Sequence, residues 1–159
     1  KKEGETQQTI ESLPRGTEHI LFIDDEENLV EVMKGLLQRL GYRVAATTDP
    51  RDGLDLFRSA PDTFDLVITD AAMPKMTGDR LAKALLAIRQ DLSIIMCTGY
   101  SERVGQKNIA SLGVRRLLMK PLAIRNLAVS IREVLDRPGK DGANGSGDRP
   151  SETTKTKGE

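Results

Sequence analysis

Tryptophan is absent from this 159-residue chain, and all aromatic residues together make up only 3 % of it. A core can still form, because 38 % of the residues are hydrophobic, but Leu, Ile, Val, Ala and Met must fill most of it. The one cysteine, Cys97, excludes an internal disulfide; it lies in an apolar strand pattern, so a reducing compartment is expected. Neither charge is in excess, since 24 basic residues balance 24 acidic ones. A grip on nucleic-acid phosphates normally shows as a basic surplus, so no nucleic acid is expected to bind through this chain. No apolar run approaches the ~20 residues a membrane helix requires, and no signal peptide is visible; no membrane contact is expected. The single histidine, His19, has no nearby metal-ligand partner and reads as structural or exposed. The chain begins with Lys rather than Met, which reads as a processed product or a piece of something longer.

What the chain does have is a short apolar run between breaking signals. In Phe64 to Pro74, FDLVITDAAMP, the stretch Leu66, Val67, Ile68, Thr69 has strand length and is bracketed by Asp65 and Asp70. Such a run reads as a strand buried on both faces of a parallel sheet. Asp70 stands where that strand ends, and ligands of open α/β sheets sit outside the carboxyl ends of the strands.

The same grammar repeats along the chain. Residues 1–17 are polar apart from Ile10 and Leu13 and read as a linker. HILFI (His19 to Ile23) is the first strand, followed at once by Asp24-Asp25-Glu26-Glu27. Leu29, Val32, Met33, Leu36, Leu37 and Leu40 then recur at helical spacing until Gly41 ends the helix. Tyr42 to Thr47 is the second strand; Asp49-Pro50 starts a helix whose inner face carries Leu54 and Phe57, although Gly53 weakens it. After the third strand, Thr77 is expected to cap a helix facing inward with Leu81, Ala84, Leu85 and Ile88. SIIMC (Ser93 to Cys97) is the fourth strand, and Glu102 to Leu112 is the poorest helix, thin in apolar residues and interrupted by Gly105. Arg116 to Met119 is the fifth strand, and a last helix packs Ile124, Leu127, Ala128, Ile131, Val134 and Leu135. Residues 138–159 hold one apolar residue, Ala143, and are expected to be disordered. Five strands alternating with five helices over residues 18–137 predict an α/β fold, a doubly wound parallel sheet covered on both faces.

Strands one, three, four and five deliver Asp24 and Asp25, Asp70, Thr98 and Lys120 to one edge of that sheet. Three carboxylates there repel one another, at about 4 kcal/mol per pair for ~4 Å and an effective dielectric of 20. A hard divalent cation relieves the repulsion, and an incomplete carboxylate set plus waters suits Mg²⁺. With a hydroxyl from Thr98 and an ammonium from Lys120, the edge describes a pocket for a dianionic phosphoryl group, which a carboxylate can attack in line. Each residue alone has an ordinary reading. Acids stabilise a helix N-terminus, Asp70 can cap, Thr98 can end a strand and Lys120 can be a solvated charge. The methionines Met73, Met76, Met96 and Met119 read as packing residues.

ILFIDDEE, VITDAAMPKMTG, IIMCTGYS and LLMKP, in this order and spacing, resemble the receiver domain of two-component response regulators. The resemblance implies a flavodoxin-like (βα)5 sandwich with strand order 2-1-3-4-5 and a cis Lys120-Pro121 bond. It implies Asp70 as phosphoacceptor, with Asp25 a direct Mg²⁺ ligand, Asp24 acting through water and the Ala72 carbonyl a further ligand. Thr98 and Lys120 would contact the phosphoryl group. Implied with these are a histidine kinase or phosphotransfer domain as partner, room for a weak homodimer, a bacterial cytoplasmic setting, and a signalling module rather than an enzyme. One departure is Leu117, where the family often carries Tyr or Phe; Tyr100 is a substitute to be weighed against a structural role. Signalling is then expected to act mainly through the weak Glu102–Leu112 segment. A haloacid dehalogenase-type phosphohydrolase needs a second Asp two residues after the nucleophile, where this chain has Ala72. The lead-in LPRGTEHILFIDDEE also resembles the junction before the C-terminal receiver of hybrid sensor histidine kinases, so a fragment of such a kinase stands beside a stand-alone regulator.

Overall fold

Apolar runs of strand length separated by amphipathic helical segments build a sheet sandwiched between two helical layers. The computed structural model describes residues 9–99 and 112–137. Five strands, β1 His19–Ile23, β2 Arg43–Thr47, β3 Leu66–Asp70, β4 Ser93–Thr98 and β5 Arg116–Met119, form one parallel sheet in the order β2-β1-β3-β4-β5. Four helices are described, α1 Glu27–Arg39, α2 Pro50–Ser59, α3 Gly78–Ile88 and α4 Ile124–Asp136. Residues 102–111 of the helix expected at Glu102–Leu112, the expected disordered tail and Tyr100 lie outside the described residues.

Two apolar clusters cover the two faces of the sheet. Ile20, Phe22, Leu66, Ile68, Ile95 and Cys97 point into one, with Met33 and Leu37 of α1 and Leu127, Ala128 and Ile131 of α4. Leu21, Ile23, Val67, Ile94 and Met96 point into the other, with Leu54 and Phe57 of α2 and Leu81, Ala82 and Leu85 of α3. The alternation along each strand is that of a sheet buried on both sides. β3 and β4 are buried at every position.

Local signals account for two of the helix ends. Gly41, at φ 104°, supplies the left-handed residue after α1. Asp49 caps α2, its Oδ1 accepting from Arg51 N at 2.8 Å, with Pro50 as the first helical residue. Thr77 does stand at the N-cap of α3, but its side chain makes no capping bond. Gly53, a weakness by propensity, has a packing reason: a Cβ there would collide with Ile23. Of the four methionines Met73, Met76, Met96 and Met119, three pack as expected, Met73 and Met96 buried and Met76 against the core, while Met119 ends β5 with 41 % of its surface exposed. His19 is half-buried, its ring 4.6 Å from that of Phe64.

Residues 9–18 carry structure within the stretch 1–17 that reads as a polar linker. Ile10–Ser12 forms a 3-10 turn, and Leu13 is buried in the cluster shared by α1 and α4. Gly16 N donates to Leu40 O at 3.1 Å, and the Arg15 guanidinium donates to Arg39 O at 3.0 Å, satisfying carbonyls left over at the end of α1. Arg132 of α4 closes the arrangement. It donates to Glu18 at 2.8 and 2.9 Å, to Asp136 at 2.7 Å, to the Tyr42 hydroxyl at 3.2 Å and to Arg15 O at 3.4 Å.

Candidate functional site

Because all five strands run the same way, their carboxyl ends share one edge, and the residue just past each end is delivered there. Asp24 follows β1, Asp70 ends β3, Thr98 ends β4 and Lys120 follows β5. Strand register sets Asp70 beside Cys97, one residue before Thr98, and Thr98 beside Met119, one residue before Lys120.

The acids gather as the sequence predicts. One carboxylate oxygen each from Asp24, Asp25 and Asp70 lies within 4.8 Å of the other two. Asp24 and Asp70 are buried while Asp25 is exposed, so the cluster opens to solvent on the Asp25 side. Lys120 binds both buried acids, with Nζ 2.9 Å from Asp24 Oδ2 and 3.3 Å from Asp70 Oδ1. The Lys120-Pro121 bond is cis, as the resemblance implies.

Electrostatics follow from that geometry. Burial, and then the neighbouring Asp24 charge, push the Asp70 carboxyl up from 3.8 to about 6, against the pull of Lys120. Burial by itself would lower Lys120; the hydrogen bond and charge of Asp24, with the charge of Asp70, outweigh it and hold the ammonium above its ordinary value. The site is thus short of positive charge. Three hard oxygen donors so close together, with one ammonium among them, fit an oxygen-seeking divalent cation. Cys97 behaves differently: burial pushes its thiol up to about 12, which leaves it an inert packing group beside Asp70.

The backbone around the acids is held tightly. Asp24 Oδ1 accepts from Glu26 N at 2.9 Å, and Asp24 N donates to Thr47 O at 3.3 Å. Ala71 N donates to Cys97 O and Gly78 N to Ala71 O, both at 2.8 Å, so the loop carrying Ala72 is pinned at both ends. Ala72 itself is exposed. The role of Gly78 is steric, because a Cβ there would collide with the carbonyl of Asp70. Lys120 N donates to Thr98 O at 2.8 Å, and the buried Thr98 directs its hydroxyl to Gly99 O at 3.3 Å. Leu117, at the position where the family often carries Tyr or Phe, packs against the cluster shared with α2 and α3.

Residues 20–132 match the response regulator receiver domain. The chain belongs to that family. Receiver domains are phosphorylation-switched signalling modules, and the Asp24, Asp25, Asp70 cluster fits their phosphorylation site. The chain is 32 % identical over 120 residues to the two-component response regulator ARR10 of Arabidopsis thaliana, covering 76 % of this chain and 21 % of that protein. It is 26 % identical over 122 residues to the sensor kinase CckA of Brucella abortus, covering 77 % of this chain and 13 % of that one. It therefore spans about a fifth or less of the length of these relatives. A response regulator receiver domain protein from Clostridium thermocellum superposes with a TM-score of 0.73 at 28 % identity, covering 76 % of this chain and 95 % of that chain. The response regulator protein TrrA from Thermotoga maritima, in complex with Mg²⁺ and BeF, superposes at 0.67 and 28 % identity, covering 75 % of this receiver and all of that chain. No helix among the described residues of this receiver is long and apolar enough to cross a membrane.

Proposed function

We propose that Asp70 is the phosphoacceptor of a two-component phosphorelay, taking a phosphoryl group from the phosphohistidine of a histidine kinase or phosphotransfer domain. One observation carries the reading: a single ammonium, Lys120, binds two buried carboxylates from different strands, with a third within reach. In the transfer, an Asp70 oxygen forms the new bond to phosphorus as the phosphorus–nitrogen bond breaks, and the electron pair leaves on the imidazole.

The residues divide the work by position. Asp24, Asp25 and Asp70, with the Ala72 carbonyl, are the donors for a cation, and Mg²⁺ suits a set of oxygens left open to water. When bound, that cation supplies positive charge to the equatorial phosphoryl oxygens. Lys120 holds a second positive charge in place beside Asp70, and Thr98 offers a hydroxyl from the adjacent strand end. The same reading makes this module a switch rather than a turnover enzyme, working in the cytoplasm. Similarity to the sensor kinase CckA favours a second version, in which the module is the receiver of a longer hybrid kinase.

The test is incubation with acetyl phosphate and Mg²⁺, followed by intact mass. The protein gains one phosphoryl group, and Asp70→Asn gains none. Labelling of Asp70→Asn at the same pocket overturns the assignment; steady hydrolysis of a phosphomonoester overturns the switch reading in favour of a phosphohydrolase.

A further inference from the structure

The loop from Ala71 to Thr77 follows the phosphoacceptor, and its path decides where the Ala72 carbonyl points. Its backbone is tied at its first residue, through Ala71 N to Cys97 O, and just beyond its end, through Gly78 N to Ala71 O. Between these ties the loop is held by side chains. Met73 is buried in the cluster that contains Leu54 and Phe57 of α2. Lys75 Nζ donates to Asp49 Oδ2 at 3.1 Å.

Asp49 is an unusually fixed partner for a lysine near the surface. Its other oxygen, Oδ1, accepts from Arg51 N at 2.8 Å as the cap of α2. Its backbone N donates to Thr47 Oγ1 at 3.1 Å, and Thr47 O in turn accepts from Asp24 N at 3.3 Å. Only 21 % of the Asp49 side chain is exposed, against 53 % of that of Lys75. A continuous path therefore runs from the acid end of β1, through the end of β2 and the α2 cap, to the loop of β3. It joins the two elements that supply acids to the cluster and meets the cluster only at the backbone N–H of Asp24. The usual weakness of a surface ion pair is the entropy lost in holding two free side chains. Here the carboxylate is already held by the helix cap.

We infer that Lys75 and Asp49 are a positioning pair that sets the geometry of the cation site by clamping the Ala72 loop against the end of β2. Neither touches the cluster, so both act through the backbone they hold. The inference rests on the reading of Asp24, Asp25 and Asp70 as cation donors, and its test separates the two.

Calorimetric titration with Mg²⁺ alone measures affinity, and thermal melting in EDTA measures stability separately. Lys75→Ala is expected to weaken Mg²⁺ binding about two- to fivefold, the range that loss of such a pair supports, with its melting midpoint in EDTA lowered by no more than a few degrees. Lys75→Arg keeps a donor and restores affinity. Asp49→Asn keeps the helix cap but gives up the ion pairs to both Lys75 and Arg51, the latter at 3.6 Å, so the clamp is read from the double variant: adding Lys75→Ala to Asp49→Asn costs no further Mg²⁺ affinity. Wild-type affinity in Lys75→Ala, or losses that add in the double variant, overturns the clamp and leaves the cation site standing. Absence of Mg²⁺ binding by the wild type overturns both.

Discussion

Removing the charge of Asp70 should make the cation-free protein more stable. The folded state holds this carboxyl at about 6, whereas its ordinary value is 3.8. A difference of ~2 pKa units corresponds to about 3 kcal/mol between the two protonation states. The sign follows from proton counting. Between those two values the folded protein holds more proton than the unfolded chain, so stability falls as pH rises. The stabilisation is fully present below 3.8 and is lost by the time pH passes about 6. Asn keeps the shape without the charge, so at pH 7.5 Asp70→Asn is expected to gain about 1–3 kcal/mol, the lower end allowing for relaxation around the wild-type charge. Urea unfolding in EDTA, followed by far-ultraviolet circular dichroism because the chain has no Trp, reads this directly. At pH 4.5 about two-thirds of the gap should have closed. Mg²⁺ should narrow it at pH 7.5, because a ligand that binds only the folded wild type stabilises that state by mass action. Equal urea midpoints at pH 7.5, or a gap independent of pH, would refute the account of a charge-strained pocket.

Other substitutions probe the supports around it. Gly78→Ala places a methyl group against the Asp70 carbonyl and is expected to cost about 1–3 kcal/mol in urea unfolding, with slower phosphoryl uptake from acetyl phosphate. Leu13→Ala tests whether the segment before β1 belongs to the fold. A buried leucine predicts a loss of about 2 kcal/mol or more, whereas a passive linker predicts none. Arg132→Ala removes the guanidinium that holds Glu18 below its ordinary 4.5, chiefly through their hydrogen bond. The stability supplied by that depressed carboxyl is present above 4.5 and lost as pH falls through the folded value, so the variant should show a flatter acid limb in pH-dependent unfolding.

The candidate site could be read from the sequence because a parallel sheet converts sequence position into spatial position. Once HILFI, LVIT and SIIMC are recognised as strands, Asp24, Asp70 and Thr98, each the next residue, must emerge at one edge. Lys120 joins them because β5 lies beside β4 in the same direction. What could not be read depends on partners distant in the chain. Gly53 counts against a helix when only its own backbone freedom is weighed, and it becomes favourable only when α2 must lie against Ile23. Residues before Glu18 offer two apolar side chains, too few to show a period. The docking of residues 9–18 draws on Arg132, which lies 114 positions from Glu18 in the sequence. The Lys75–Asp49 contact has the same character, spanning 26 positions between two loops of unrelated pattern. Groups that do chemistry sit where strand ends place them, whereas the groups that steady them are chosen by packing. A local pattern therefore finds the first kind and passes over the second, and the proposed Lys75–Asp49 clamp belongs to the second.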